Sequence, residues 1–148
     1  MNNVLYDPFM EATRNVFQLM LDLSDVSHSV VEGFENNDGL DVSIGVIGDL
    51  AGEVVYHFPE DTSLSMVNIM SGMEIDSVDE FVTSAISEIA NIISGNVLTE
   101  LAQSDMKCDI LPPVLCTSGE DKDYELMTSC LICTDAGTMG VDIKLNQA

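Results

Sequence analysis

The longest amphipathic pattern in the chain runs from Ser77 to Ser104, SVDEFVTSAISEIANIISGNVLTELAQS. At about 100° per residue, Phe81, Val82, Ala85, Ile86, Ile89, Ile92, Ile93 and Val97 gather on one broad face. That pattern predicts a core-facing helix of roughly seven turns. Ser77-Val-Asp-Glu80 reads as a capping box at its start. The opposite side is short and polar. Ser84, Glu88, Asn91 and Gly95 fall within about a 60° arc of the same wheel. A carboxylate and a carboxamide stand one turn apart, with small residues above and below them. Such a face suits close approach by a second surface better than it suits plain solvation.

The remaining pattern is shorter-ranged. Asp7 to Asp22 predicts a first helix, with Pro8 early in it and an apolar stripe of Phe9, Ala12, Val16 and Met20, flanked by Leu19 and Leu23. Ser24 to Gly39 stays ambiguous: Ser29 to Glu32 fits a short strand, and Glu35 to Gly39 a turn. Asp41 to Ile47 alternates, with Val42, Ile44 and Val46 on one face. Gly48 to Gly52 reads as a loop, and Glu53 to Phe58 resumes with Val54, Tyr56 and Phe58 in phase, completing a hairpin. Pro59-Glu-Asp opens a second helix with apolar Met66, Val67, Ile69 and Met70, which Gly72 stops. After the long helix, Pro112-Pro113 restricts Met106 to Cys116 to an edge strand or an ordered connection. An acidic turn at Ser118 to Asp123 leads to a strand at Tyr124 to Thr134. Asp135-Ala-Gly137 turns the chain. Thr138 to Leu145 returns with Val141, Ile143 and Leu145 inward and Asp142 and Lys144 outward. Two hairpins and three helices predict an α+β fold, a mostly antiparallel sheet covered by helices. A length of 148 residues predicts a single domain over 1–148.

Composition narrows the function. Hydrophobic residues make up 46% of the chain, enough for a proper core. Twenty-six acids against four bases give a formal charge of −22. That charge repels nucleic-acid phosphates and anionic membrane surfaces, so neither is an expected partner. Solubility explains the charge adequately; steering of a basic partner is the sharper reading, and the sequence does not separate the two. There is no basic segment followed by an apolar run, and no apolar run of transmembrane length is apparent. A soluble, cytoplasmic protein with reduced Cys108, Cys116, Cys130 and Cys133 is expected.

Glu88 and Asn91, at i and i+3, project side by side. Neither is a nucleophile at neutral pH. The asparagine amide can both donate to and accept from a water, and so aim it; the carboxylate can pair with a partner's lysine. Such a pair suits positioning a water for attack on a substrate that brings its own electrophile and metal. The plain alternative is two solvated surface residues. Other motifs carry less. Cys130-x-x-Cys133 on a strand points its thiols to opposite faces, which suits neither a disulfide nor a shared metal. His28 and His57 are isolated in sequence, and His57 reads as structural. The glycines of 45–52 lack the Gly-Lys-Ser/Thr of a phosphate cradle. Asn96 falls near the apolar face and reads as a buried, hydrogen-bonded residue. No metal site of the chain's own is expected.

The residues Ser84-x-x-x-Glu88-x-x-Asn91, with Pro113 downstream, resemble the signature of the CheC/CheX/FliY phosphatases of bacterial chemotaxis. Twenty-one residues separate Asn91 from Pro113, one fewer than the family spacing. Asp7-Pro-Phe-Met-Glu-Ala-Thr13, Gly45-Val-Ile-Gly48-Asp-Leu-Ala-Gly52 and Ile92-Ile-Ser-Gly95-Asn96 are similar to further family segments, and the resemblance covers nearly the whole chain. It implies a phosphatase acting on the aspartyl phosphate of a CheY-type receiver. Carried over, Glu88 pairs with the receiver's active-site lysine and Asn91 orients the attacking water. Ser84 and Gly95 flank the pair as a docking face, and Pro113 shapes the connection after the helix. The Mg2+ belongs to the receiver, with no cofactor in this chain. Asp7-x-x-x-Glu11-x-x-Arg14 and Asp61-x-x-x-Ser65-x-x-Asn68 echo the spacing but lack the amide or the carboxylate. A single good copy, with no extra C-terminal domain in this sequence, resembles CheX more than CheC or FliY. The resemblance also implies a homodimer. A second reading, from a different class, is a non-catalytic receiver-binding or signalling adaptor module on the same fold.

Overall fold

The computed structural model describes residues 3–21, 26–31, 39–77, 79–103, 105–115 and 126–147. Its elements run α1 (Asn3–Leu21), β1 (Ser27–Val31), β2 (Gly39–Gly48), β3 (Leu50–Pro59), α2 (Glu60–Ser71), α3 (Glu80–Ala102), β4 (Cys108–Ile110), β5 (Val114–Leu115), β6 (Leu126–Thr134) and β7 (Gly137–Gln147). The fold is α+β, as predicted. The strands form one antiparallel sheet in the order β1-β6-β7-β3-β2-β4, with β5 also pairing β2. The acidic turn expected at 118–123, the turn expected at 35–38 and Cys116 lie outside the described residues.

Alternation decides which face of the sheet is covered. Val42, Ile44, Val46, Leu50, Val54, Tyr56, Phe58, Cys130, Ile132, Met139, Val141, Ile143 and Leu145 are all buried. They meet the apolar sides of the helices in one core. α3 lies against β2 and β4, α2 against β2, β3 and β7, and α1 packs along α3.

Both predicted hairpins form. The expected loop at 48–52 is largely strand, however. β2 and β3 part after the Val46–Gly52 pair, and each continues on an outer neighbour: Gly48 opposite Cys108, Leu50 opposite Gln147. Sequence alternation describes one strand at a time and does not register a change of partner. The Met106–Cys116 stretch contains two short edge strands, β4 and β5. The non-strand residues Leu111–Pro113 interrupt them, consistent with the missing proline donors. Here the Leu111 amide donates to the Gly45 carbonyl at 2.9 Å, and the Leu111 side chain occupies the space a Cβ on Gly45 would need.

The helices depart from expectation mostly at their ends. α1 begins at Asn3 rather than Asp7, so Pro8 falls inside it. Leu19, predicted to flank the stripe, is 84% exposed, whereas Phe17 is buried. α2 ends where predicted. Gly72 takes the left-handed conformation at φ 71, and its amide bonds to the Asn68 carbonyl. Ile69, predicted apolar surface for packing, is exposed.

The candidate site on helix α3

α3 runs for 23 residues. It starts at Glu80, and its cap is Asp79 rather than the predicted Ser77: the Asp79 carboxylate accepts from the Val82 amide at 3.1 Å. Glu80 in the first turn complements the helix dipole. Val82, Ile86, Ile89, Ala90, Ile93, Ser94, Val97 and Leu101 are its buried residues. By length and composition alone the helix could cross a membrane, contrary to the sequence expectation. Its apolar side is part of the core instead.

The other side is the predicted polar stripe. Ser84 and Glu88 are exposed, and Asn91 and Gly95 are half-buried. At about 100° per residue these four lie roughly 130–170° from the mean direction of the buried residues, nearly opposite the core. Glu88 and Asn91 are separated by one turn, a rise of about 4.5 Å. Neither side chain has a hydrogen-bond or ion-pair partner among the described residues. A Cβ added at Gly95 would meet nothing within 4 Å, so the space beside Asn91 on that side is open. Pro113 is half-buried in the β4–β5 connection, away from regular pairing.

Two flanking residues differ from expectation.
Phe81, counted on the core face, is 48% exposed and lies at the edge of the polar stripe. Asn96, expected to be buried, is exposed; its amide donates to the Ile92 carbonyl of its own helix at 2.9 Å. The buried polar residue of α3 is Ser94. Its hydroxyl meets the Tyr56 hydroxyl on β3 at 2.8 Å, both groups inside the core. Burial pushes the Tyr56 hydroxyl pKa up, with the Ser94 hydrogen bond opposing it, so the phenol stays neutral. A tyrosine in phase on an inward-facing strand must find a partner for its hydroxyl, and that was the signal available in the sequence.

The remaining motifs contribute no site. Cys130 is buried, and burial followed by the Asp142 charge pushes its thiol up to about 11, where it is not a nucleophile. Among the described residues, Cys108, Cys130 and Cys133 are free thiols, and no group of three or more His, Cys, Asp or Glu could hold a metal ion. Asn68, in the weak echo of the motif on α2, instead accepts from the Ile75 amide at 2.7 Å and fixes the chain after the helix.

An exposed carboxylate and a half-buried carboxamide thus stand one turn apart on the side of α3 that faces away from the core of a helix-covered antiparallel sheet. The family model of chemotaxis phosphatase CheX matches residues 41–134, a span that includes Ser84, Glu88, Asn91, Gly95 and Pro113. The CheY-P phosphatase CheX of Thermotoga maritima is 32% identical over 120 residues, 80% of this chain and 76% of that protein. The crystal structure of chemotaxis protein CheX from Vibrio vulnificus superposes with a TM-score of 0.84 at 21% identity, over 96% of this chain and 99% of that one. The CheX–CheY complex with BeF3 and Mg2+ from Borrelia burgdorferi gives 0.79 at 23% identity, over 96% and 97%. The chain belongs to the CheX family of chemotaxis phosphatases.

Proposed function

We propose that this protein hydrolyses the aspartyl phosphate of a CheY-type response regulator, with Glu88 and Asn91 as its working pair. The observation that carries the reading is the Glu88–Asn91 pair on the polar stripe of α3, without partners among the described residues and inside the span the CheX family model matches. In this reading the receiver docks on α3, and the Glu88 carboxylate pairs with the receiver's active-site lysine. The Asn91 amide holds a water in line with the phosphorus–oxygen bond of the acyl phosphate. The water oxygen bonds to phosphorus as the aspartate carboxylate leaves, giving inorganic phosphate and free aspartate. Mg2+ is held by the receiver and neutralises the transferring group's charge; this chain supplies position rather than a cofactor. Ser84 and Gly95 leave room for the approach, and Pro113 has a structural role in the connection.

The test is the decay of an aspartyl-phosphorylated CheY-type receiver alone, with this protein, and with its Glu88→Ala and Asn91→Ala variants. Faster decay, reduced about 100-fold by Asn91→Ala, is the expected result, by analogy with the loss of one positioned hydrogen-bonding group in other active sites. Acceleration that survives Asn91→Ala removes the water-positioning role. No acceleration with binding retained leaves a non-catalytic receiver-binding module. The same reading places the reaction in the cytoplasm with its receiver, treats 1–148 as one domain, and includes a homodimer. One cooperative unfolding transition and a dimer mass in solution check the last two.

A further inference from the structure

We propose that Phe81 is the apolar anchor by which α3 docks its receiver; the inference rests on the function proposed above and adds a residue with no part in the water-positioning step. Phe81 is the one large apolar side chain of α3 among the described residues that is strongly exposed. Its direction is not that of the core. On a wheel of about 100° per residue it lies roughly 150° from the mean of the buried residues and about 20° from Glu88. Phe81, Ser84, Glu88, Asn91 and Gly95 thus form one continuous stripe.

Reach supports the same assignment. Phe81 stands about 10 Å along the axis from Glu88 and about 15 Å from Asn91. An interface of ordinary size covers about 800 Å2 per partner, a disc of roughly 16 Å radius. A receiver whose lysine meets Glu88 and whose phosphoryl group meets Asn91 therefore also covers Phe81. On the far side of the pair the stripe continues through half-buried Gly95 and exposed Thr99 and Ala102, which offer no comparable apolar surface. Anchoring energy in interfaces concentrates in a few large, often aromatic side chains surrounded by a polar rim. Acidic surface lies at this end of the helix: Asp79, whose carboxylate caps it, and Glu80 adjoin Phe81 in the chain, with Glu74 and Asp76 a few residues earlier, all exposed. The receiver face that fits is an apolar pocket bordered by lysine or arginine, which this acidic surface complements.

The experiment compares steady-state dephosphorylation and binding of a beryllofluoride-loaded receiver for the wild type, Phe81→Ala, Phe81→Leu and Met127→Ala. Met127 is a comparably exposed apolar residue on the opposite side of the sheet and serves as control. The expected result is a KM and a dissociation constant raised about tenfold by Phe81→Ala with kcat within twofold, partial recovery with Phe81→Leu, and no change with Met127→Ala. An unchanged KM for Phe81→Ala, or an equal loss with Met127→Ala, overturns the anchor. So does a Phe81→Ala variant that binds receiver normally but loses self-association, since Phe81 then contacts a second copy. Receiver binding that depends on Phe81 without any turnover upholds the anchor and removes the phosphatase. Turnover indifferent to Phe81 does the reverse.

Discussion

The two outer surfaces of this molecule treat polar side chains in opposite ways. On α3, Glu88 and Asn91 stand without partners within the described protein. On the sheet face away from the helices, the polar groups satisfy one another across strands. His57 on β3 bridges two carboxylates: its Nδ1 is 2.7 Å from Asp41 on β2, and its Nε2 is 2.9 Å from Asp142 on β7. The Ser129 hydroxyl on β6 donates to Asp142, and the Ser43 hydroxyl to Glu53. The His57–Asp142 contact is diagonal. The residue directly opposite His57 on β7 is Gly140, which has no side chain to offer it. Satisfied groups tie strands together, whereas unsatisfied exposed groups stay available to a partner. Stability thus belongs to the sheet face and, under the proposed function, recognition to the helix stripe.

The sharpest way to break that assignment is to exchange the roles. Asn91→Ala should lower turnover about 100-fold and leave unfolding within about 0.5 kcal/mol of wild type. Denaturant titration beside the decay assay checks both. A large stability loss would make Asn91 a structural residue. Tyr56→Phe should do the opposite, because it leaves the Ser94 hydroxyl buried and unpaired. A cost of about 1–3 kcal/mol in unfolding is expected, with Ser94→Ala costing no more and the double variant less than the sum. Additive losses would mean that the two hydroxyls do not couple.

Much of this arrangement was legible in the chain because it repeats with a fixed period. The strand alternation of Val42, Ile44 and Val46, and of Val141, Ile143 and Leu145, gave the covered face directly. The stripe of Ser84, Glu88, Asn91 and Gly95 followed from the helical angle alone. Phe81 departs from the expected core face because hydrophobicity alone puts it in the broad apolar arc, whereas its own angle lies at the edge of the polar stripe. The cap moved from Ser77 to Asp79 because both sequences offer an oxygen, and only backbone geometry selects between them. The His57 network was out of reach. Asp41, His57, Ser129 and Asp142 lie on four strands, and their meeting depends on register.

That network predicts a pH dependence that the helix stripe should lack. Half-burial lowers the affinity of His57 for its proton, but the hydrogen bonds and charges of Asp142 and Asp41 outweigh it, and the pKa is raised above the ordinary 6.5. Asp142 is disfavoured as an anion by desolvation, yet His57 and Ser129, with a contribution from Lys144, hold it below its ordinary 3.8. A raised histidine contributes stability that is complete below its unfolded pKa and fades as pH rises through the folded one. A lowered aspartate contributes above its unfolded pKa and fades as pH falls through the folded one. The network is therefore strongest between about pH 4 and 6.5. Wild type should lose stability between pH 6 and 8 relative to His57→Gln, with His28 common to both proteins. Parallel pH profiles would show that the bridge adds nothing to folding.

The smallest expected effect concerns charge, where the two surfaces compete to explain the same −22. If the acids only keep the protein soluble, they act everywhere and association with the receiver is indifferent to salt. The exposed acids at Glu74, Asp76 and Glu80, which precede the stripe in the chain, favour steering instead. Raising ionic strength from about 0.01 M to 0.15 M shortens the Debye length from about 30 Å to about 8 Å, less than the width of an interface. The association rate should then fall severalfold while kcat stays constant, because water positioning occurs after the charges have met. Asp76→Asn with Glu80→Gln should reduce that salt dependence, and neutralising Asp142 on the far face should not. A salt-independent rate would leave solubility as the whole explanation of the charge, and the stripe would recognise its partner by shape and by Phe81 alone.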